Sequence, residues 1–131
     1  MREYLRNFNL NPPLTSKDIA IFEADSGIRL PGDYVDFLRI GNGGEGFIGD
    51  SYALFWRLDE LKTLNAEYEV DEFAPGLLLI GSDGGGEAFG FDTRERSWPV
   101  VRVPFVGMDI DLLAVLGRTF PDFLKALCEA H

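Results

Sequence analysis

Cys128 and His131 are the residues with the types and spacing for nucleophilic catalysis, and the chain has one cysteine and one histidine. A cysteine nucleophile needs a base beside it, and residues three apart on a helix share a face. His131 is the last residue of the sequence, where chains usually fray, and Cys128 fits a small residue at the edge of a core. Transition-metal sites draw mainly on cysteine and histidine. We therefore predict no catalytic residues and no metal site.

Two pairs of carboxylates could instead do general acid–base work or hold calcium. Asp109 and Asp111 flank a single isoleucine, and Asp83 lies four residues before Glu87. Neither pair has the spacing of an EF-hand loop. A carboxylate-dependent hydrolase that uses one of these pairs is one hypothesis. In a chain with 22 acidic residues, solvated turns are the simpler interpretation.

Two glycine-rich stretches have the composition of phosphate-binding loops. Residues 41–46 match G-x-G-x-x-G literally, but a dinucleotide loop needs a strand before it and a helix after it. Here a predicted helix precedes and extended chain follows. The glycines of residues 81–86 are not followed by the Lys-Ser/Thr pair that ends a Walker loop, and Asp83 and Glu87 would repel a phosphate. We interpret both stretches as turns that use the tolerance of glycine for positive φ, and we predict no cofactor.

The charge balance points to the class of partner. Asp and Glu number 22 against 12 Lys and Arg, which gives a formal net charge of −10. Such a chain is repelled by nucleic acid phosphates and by anionic lipid surfaces, and it is attracted to basic partners. Trp56 and Trp98 are core residues by default, although an exposed tryptophan can also anchor an interface. We predict a protein partner, no nucleic acid and no membrane, and we leave the oligomeric state open.

Length and composition are those of one domain. The chain has 131 residues, of which 46% are hydrophobic, and its single cysteine allows no intrachain disulfide. The first residues lack the apolar core of a signal peptide, and no apolar run approaches the roughly 18 residues that span a bilayer. We therefore expect a soluble, cytoplasmic protein. Residues 1–14 are predicted to form an N-terminal arm that ends in Pro12-Pro13.

Helices are predicted to dominate the first half of the chain. Thr15 and Asp18 have the spacing of a capping box at the start of a helix, and Gly27 can end that helix in a left-handed conformation. A second helix is predicted from Pro31 to Gly41. A third follows around residues 58–68, and an acidic loop is predicted over 67–76.

Strands are predicted to dominate the second half. Short extended stretches are expected at 47–48 and 52–56, then at 77–80, 88–92 and 98–104, with turns between them. Residues 105–118 are ambiguous, since 112–116 fits a strand or a helical turn. A last helix begins at Thr119, which has capping-box spacing to Asp122. This order predicts an α+β fold in which N-terminal helices and a C-terminal helix pack around a central antiparallel sheet.

Several of these stretches together resemble the SUKH superfamily, of the Smi/Knr-like type. The resemblance covers roughly residues 15–127, and it rests on the order and spacing of motifs that are each weak alone. The motifs are Asp18-Ile19 with Phe22-Glu23 and Gly27-Ile28; Leu30-Pro31-Gly32-Asp33-Tyr34-Val35-Asp36-Phe37-Leu38 followed by Asn42-Gly43-Gly44; Ile80-Gly81-Ser82-Asp83-Gly84-Gly85-Gly86-Glu87 with Phe91-Asp92; and Thr119-Phe120 with Phe123-Leu124. We accordingly interpret residues 1–131 as a single domain of this type, with 1–14 as its arm.

The resemblance implies an α+β fold and a function in protein binding without defined catalytic residues. Many bacterial members are regarded as immunity proteins that neutralise toxins, often nucleases or deaminases, and fungal relatives are linked to cell-wall control and signalling. The leading hypothesis is thus an immunity protein against a basic toxin domain, and the alternative is a regulatory or scaffold module. We expect the partner to contact two aromatic anchors and a set of acidic rim residues: Tyr52, Trp56, Asp50, Glu67, Glu69, Asp71, Glu72, Asp83, Glu87, Asp109 and Asp111.

Overall fold

The structure, a computed structural model, describes residues 1–130. It contains helices and strands in the order that an α+β fold requires. The α-helices are α1 (Ser16–Ser26), α2 (Gly32–Ile40), α3 (Leu61–Glu67), α4 (Val70–Phe73) and α5 (Phe120–Glu129). The strands are β1 (Phe8–Leu10), β2 (Gly44–Ile48), β3 (Ser51–Phe55), β4 (Leu77–Ser82), β5 (Glu87–Asp92), β6 (Val100–Pro104) and β7 (Ala114–Gly117).

The strands form one antiparallel sheet whose spatial order follows the chain from β1 to β7. The predicted α+β class and its antiparallel sheet are confirmed. The first fourteen residues, predicted as an arm, contribute a 3₁₀ turn at Arg2–Leu5 and the edge strand β1. Strand β1 pairs with β2, where Asn9 lies opposite Glu45. Proximity to β2 in space, rather than any local signal, turns this segment into a strand.

The local signals at helix ends act as predicted. The Thr15 hydroxyl accepts the Asp18 N–H at 3.1 Å, and an Asp18 carboxylate oxygen accepts the Thr15 N–H at 2.9 Å, which completes the capping box of α1. Gly27 ends α1 with φ of 73°. The Thr119 hydroxyl accepts the Asp122 N–H at 3.1 Å and so caps α5. Each of these contacts lies at a helix end, and the residues that form it are at most four apart in the sequence.

Aromatic rings fill the core between the sheet and the helices on one of its faces. The Phe55 ring of β3 lies 5.5 Å from Phe37 of α2, and 5.9 Å from both Phe120 and Phe123 of α5. The Tyr34 ring of α2 meets Phe91 of β5 at 5.2 Å. Helices α2 and α5 therefore close this face, which we call the helix face of the sheet.

Two stretches differ from the prediction in detail. The segment 67–76, predicted as a loop, contains the helical turn α4, and Glu69 precedes it with φ of 55°. Buried Val70 and Ala74 hold this turn against the core. The acidic residues around them made the segment look like a solvated loop in the sequence. The ambiguous 105–118 segment contains both a 3₁₀ turn, Ile110–Leu112, and the strand β7.

The glycine motif at 41–46 has a steric role in this fold. Helix α2 precedes it and strand β2 runs through it, as the sequence indicated. A Cβ atom on Gly44 would lie 2.1 Å from the Asn9 carbonyl oxygen, and one on Gly46 would lie 2.7 Å from that of Asn7. Both glycines have φ near 150°, at 142° and 150°. Glycine here lets the backbone of β1 approach β2 closely.

No helix within residues 1–130 is both long enough and apolar enough to cross a membrane.

Candidate functional site

The face of the sheet opposite the helix face is left open over strands β1, β2 and β3. Side chains alternate across a strand, so those that flank Phe55 and Ala53 point away from α2 and α5. The strand register places Phe47 opposite Tyr52, and Glu45 opposite both Asn9 and Leu54. We call this set the open sheet face: Asn9, Glu45, Phe47, Tyr52 and Leu54.

Helix α3 turns this open sheet face into one wall of a groove. The groove has a volume of about 690 Å³, and besides the open sheet face it is lined by Trp56, Glu60 and Leu64. Trp56 follows β3, while Leu64 belongs to α3. Asn7 and Asn11, on either side of β1, also line the groove. The result is a concave surface with apolar, amide and carboxylate groups side by side.

Phe47, Tyr52 and Glu45 form a connected cluster within this face. The Phe47 and Tyr52 rings meet edge to face, with centroids 5.4 Å apart and planes at 79°. The Tyr52 hydroxyl donates a hydrogen bond to the Glu45 carboxylate. This bond raises the pKa of the Tyr52 phenol above its ordinary value. The Phe47 side chain is 51% exposed.

The turn between β4 and β5 supports Tyr52 from one side. A Cβ atom on Gly84 would lie 2.6 Å from Cδ1 of Tyr52, so the tyrosine ring packs directly on the glycine backbone. Together with the bond to Glu45, this packing restricts the ring to one orientation. A restricted aromatic side chain loses little conformational entropy when a partner binds it.

The two predicted aromatic anchors differ in accessibility. Tyr52 is half-buried and lies in the open sheet face. Trp56 is only 8% exposed, and its ring stacks on Tyr68 with centroids 5.9 Å apart and planes at 7°. Tyr68 in turn contacts Phe105 at 4.8 Å. Trp56 therefore packs mainly in the core, and only its edge reaches the groove.

The acidic residues predicted over 67–72 lie together on α3 and α4. Glu67 is the last residue of α3, and Glu69, Asp71 and Glu72 follow around the α4 turn. All four side chains are exposed. Asp71 also lines a second pocket of about 550 Å³, together with Arg29 and Lys62. These four acids form an exposed charged cluster beside that pocket.

Asp83 and Glu87 lie at the β4–β5 turn. An Asp83 carboxylate oxygen accepts the Gly85 N–H at 2.8 Å and the Glu87 N–H at 3.2 Å, so this carboxylate shapes the hairpin. Both acids line a pocket of about 320 Å³ with Tyr52 and the C-terminal part of α5. The Glu87 Oε2 atom is buried there without a hydrogen-bond partner among residues 1–130. Asp50 is exposed in the β2–β3 turn.

Asp109 and Asp111, the other carboxylate pair, lie in the connection between β6 and β7. The Asp109 carboxylate accepts the Asp111 N–H at 2.9 Å and so caps the 3₁₀ turn Ile110–Leu112. Both side chains are exposed. Asp109, like Asp83, thus has a local structural task.

The remaining chemical hypotheses concern Cys128 and the binding of a metal ion. Cys128 is half-buried in α5, and its backbone packs against Gly49 of the β2–β3 turn. The pairing of Cys128 with His131, which was considered from the sequence and not predicted, involves a residue outside the described part of the chain. Across residues 1–130, no group of three or more His, Cys, Asp or Glu side chains has the geometry to hold a metal ion.

Sequence reasoning missed the residues that give the open sheet face its character, namely Glu45, Phe47, Asn9 and Glu60. A signal for two of them was present. Two strands joined by a two-residue turn at Gly49-Asp50 form a hairpin with fixed register, and this register sets Phe47 opposite Tyr52. The alternation around that turn would then have placed Glu45, Phe47, Tyr52 and Leu54 on one face. Asn9 and Glu60 join them only through tertiary contacts.

Comparison with known proteins gives a clear family assignment. The model of the SMI1/KNR4 family, designated SUKH-1, matches residues 13–126. No curated protein matches the chain significantly. The matched segment begins just before α1 and ends within α5, so it includes β2, β3 and most of the groove. The chain therefore belongs to the SMI1/KNR4 (SUKH-1) family.

Proposed function

We propose that this chain is an immunity-type protein that neutralises a cognate toxin by binding it. Membership in the SMI1/KNR4 family supports a non-catalytic domain of the immunity or cell-wall type that acts through protein–protein interaction. The toxin is proposed to be a basic domain of the nuclease or deaminase class. The net charge of −10 supports a basic partner, since opposite charges accelerate encounter and reject acidic competitors.

The open sheet face is the observation that carries this proposal. Exposed aromatic side chains that are held in place, with charged groups around them, are typical of protein interfaces. Phe47 and Tyr52 supply the aromatic surface, and Glu45 and Glu60 supply the charge. Covering Phe47 would also remove a half-exposed apolar ring from water, which favours association.

The carboxylates considered for catalysis support a non-catalytic reading. Asp83 accepts two backbone N–H groups of its own turn, and Asp109 accepts one. A general base must reach the proton that it removes from a substrate. The side chains of Asp109 and Asp111 are exposed to solvent.

The second candidate is a regulatory or scaffold module that binds a cellular protein. Membership in the family supports this alternative as well, because it supports a domain of either the immunity or the cell-wall type. Such a module would use the same kind of surface, so the identity of the partner separates the two functions.

Co-expression with the product of the adjacent gene tests the proposal. We expect a stoichiometric complex, and we expect this chain to restore growth to cells that produce the toxic domain. A matched strain that produces the toxic domain with an acidic, folded protein of another family controls for charge alone. Recovery of a stoichiometric complex with a housekeeping or signalling protein, without protection from the adjacent product, would support the second candidate instead.

A further inference from the structure

The charged groups of the groove are all of one sign. Glu45 lies on its sheet wall and Glu60 on its helical wall, and no Lys or Arg of the described residues 1–130 lines it. Tyr52 donates to Glu45 and the Arg57 N–H donates to Glu60, which orients both carboxylates. A carboxylate has about four lone-pair sites, so each can accept further donors. The groove therefore presents two fixed anionic groups to whatever enters it.

The aromatic pair next to these carboxylates has a complementary property. Aromatic ring faces carry a negative quadrupole and attract cations, Arg most often, within roughly 6 Å of the ring centroid. Phe47 and Tyr52 meet edge to face, and the Phe47 ring is 51% exposed, so this ring is accessible to a cation from the partner. An arginine side chain can stack on a ring while its N–H groups reach a neighbouring carboxylate.

We propose that the groove receives an arginine- or lysine-bearing segment of the partner protein, whose cationic side chain lies against the Phe47–Tyr52 pair and bonds to Glu45. Glu60 holds a second basic residue of that segment from across the groove. Asparagine amides on the β1 side, such as Asn9, offer donors and acceptors to its backbone. This inference rests on the proposed function as a protein-binding domain, and it assigns the binding face and the chemistry of the bound segment.

The first test needs no knowledge of the partner. A short amidated peptide with three arginines is titrated into the isotope-labelled chain, and backbone amide shifts are followed by NMR. We expect saturable shifts at the amides of 45–48 and 51–54, and none with the same peptide carrying glutamates instead. Shifts confined to 67–72 or 83–87 would place basic segments elsewhere and overturn the proposal. Equal binding of both peptides would overturn its charge argument.

Variants of the groove give the second test, with the protein partner identified by co-expression. Phe47→Ala is expected to weaken binding about 10- to 100-fold, and Glu45→Gln with Glu60→Gln about 10-fold at low salt. Ile21→Ala is the matched control, because Ile21 is an apolar residue of similar exposure (50%) on α1. The control for the two glutamate substitutions is Asp71→Asn with Glu72→Gln, which removes two exposed acids outside the groove. Thermal unfolding of each variant confirms that it folds.

The outcomes separate this inference from the proposed function. If the partner binds the groove variants as tightly as the wild type, the inference fails while the function stands. If the adjacent gene product does not bind at all, the function fails, and the peptide titration still tests the groove. Concentration-dependent dimers that Phe47→Ala abolishes would show that a second copy of this chain occupies the face, and would overturn the proposal.

Discussion

At the scale of single residues, Asp92 shows how the domain holds a charge in its interior. Asp92 is 4% exposed, and it receives Nε of Arg94 at 2.9 Å and Nη2 at 3.0 Å in a bidentate pair. The Arg94 backbone N–H also donates to it at 3.1 Å. These bonds to Arg94 lower the pKa of the Asp92 carboxyl below its ordinary value. A buried carboxylate with this many donors stabilises the turn after β5.

Asp92→Asn is expected to lower the free energy of unfolding at pH 7 by about 1 kcal/mol, because it removes the charge that Arg94 pairs with. The loss stays this small because the Arg94 side chain is half exposed, so solvent screens the attraction. Because the pKa of Asp92 is lower in the folded chain, its contribution is present above the unfolded value of about 3.9 and is lost as pH falls through the folded value. Urea unfolding of both proteins should thus show a difference that closes at low pH. Asp59→Asn, at the solvent-exposed pair with Arg57, is the control and should change stability less. A difference that persists undiminished at low pH would contradict this account.

Gly44→Ala tests the steric role of the glycine motif. Because its Cβ would overlap the Asn9 carbonyl oxygen and its φ of 142° disfavours a side chain, we expect a loss of about 2 kcal/mol or more in the free energy of unfolding. Gly86→Ala is the matched control: a Cβ there meets open space, and the change should stay within about 0.5 kcal/mol. Equal effects of the two substitutions in urea unfolding would show that the close approach of β1 to β2 is not needed.

At the scale of elements, helices α2 and α5 depend on each other through one polar contact beside their aromatic packing. The Asp33 carboxylate, in the first turn of α2, accepts the Phe120 N–H of α5 at 3.0 Å. That N–H belongs to the first turn of α5, where helical N–H groups lack partners within their own helix. Asp33 therefore completes the cap that Thr119 begins.

Asp33→Ala is expected to cost about 1–2 kcal/mol of unfolding free energy, because it leaves the Phe120 N–H without its partner in a half-buried position. Asp33→Asn keeps an acceptor oxygen and should cost less. Asp36→Ala, at an exposed position on the same helix, is the control. Denaturant unfolding measures all three, and an Asp36 variant as unstable as the Asp33→Ala variant would argue against a specific role for the contact with α5.

At the scale of the whole molecule, the sheet divides the domain into a closed and a partly open side. Helices α2 and α5 cover the helix face. On the other face Tyr68 stacks on Trp56 and contacts Phe105, and this cluster covers only part of the sheet. Strands β1 to β3 keep their outer side chains accessible along the groove. The chain thus combines a net charge of −10 with a concave aromatic surface. The charge suits the attraction of a basic protein segment, and the concave surface suits its binding.

Association with a basic partner should depend strongly on salt. We expect the association rate to fall by about tenfold or more between about 0.02 M and 0.5 M salt, because screening shortens the range of attraction. The dissociation rate should change less, since it reflects the packed contacts. Stopped-flow mixing with the partner measures both rates. An association rate that does not respond to salt would remove electrostatic steering as the reason for the acidic composition.

Features that arise between neighbours along the chain could be predicted from the order of the residue types alone. Thr15, Gly27 and Thr119 mark helix ends through contacts within four residues, and alternation with turns predicted the strands of the second half. The sequence also predicted that a helix precedes the 41–46 glycine motif and that extended chain follows it, because this order depends only on adjacent segments. These signals were sufficient for the α+β class and for the resemblance that the family match bears out.

Only the tertiary structure decided which distant residues meet. β1 becomes a strand because β2 lies beside it, and Asp33 meets Phe120 across 87 positions of sequence. Val70 holds α4 in a segment whose acidic neighbours predict a loop. The groove joins Glu45 to Glu60 by packing α3 beside the sheet. The physical reason is that a local hydrogen bond is fixed by the residues that form it, whereas a long-range contact depends on how the whole core packs.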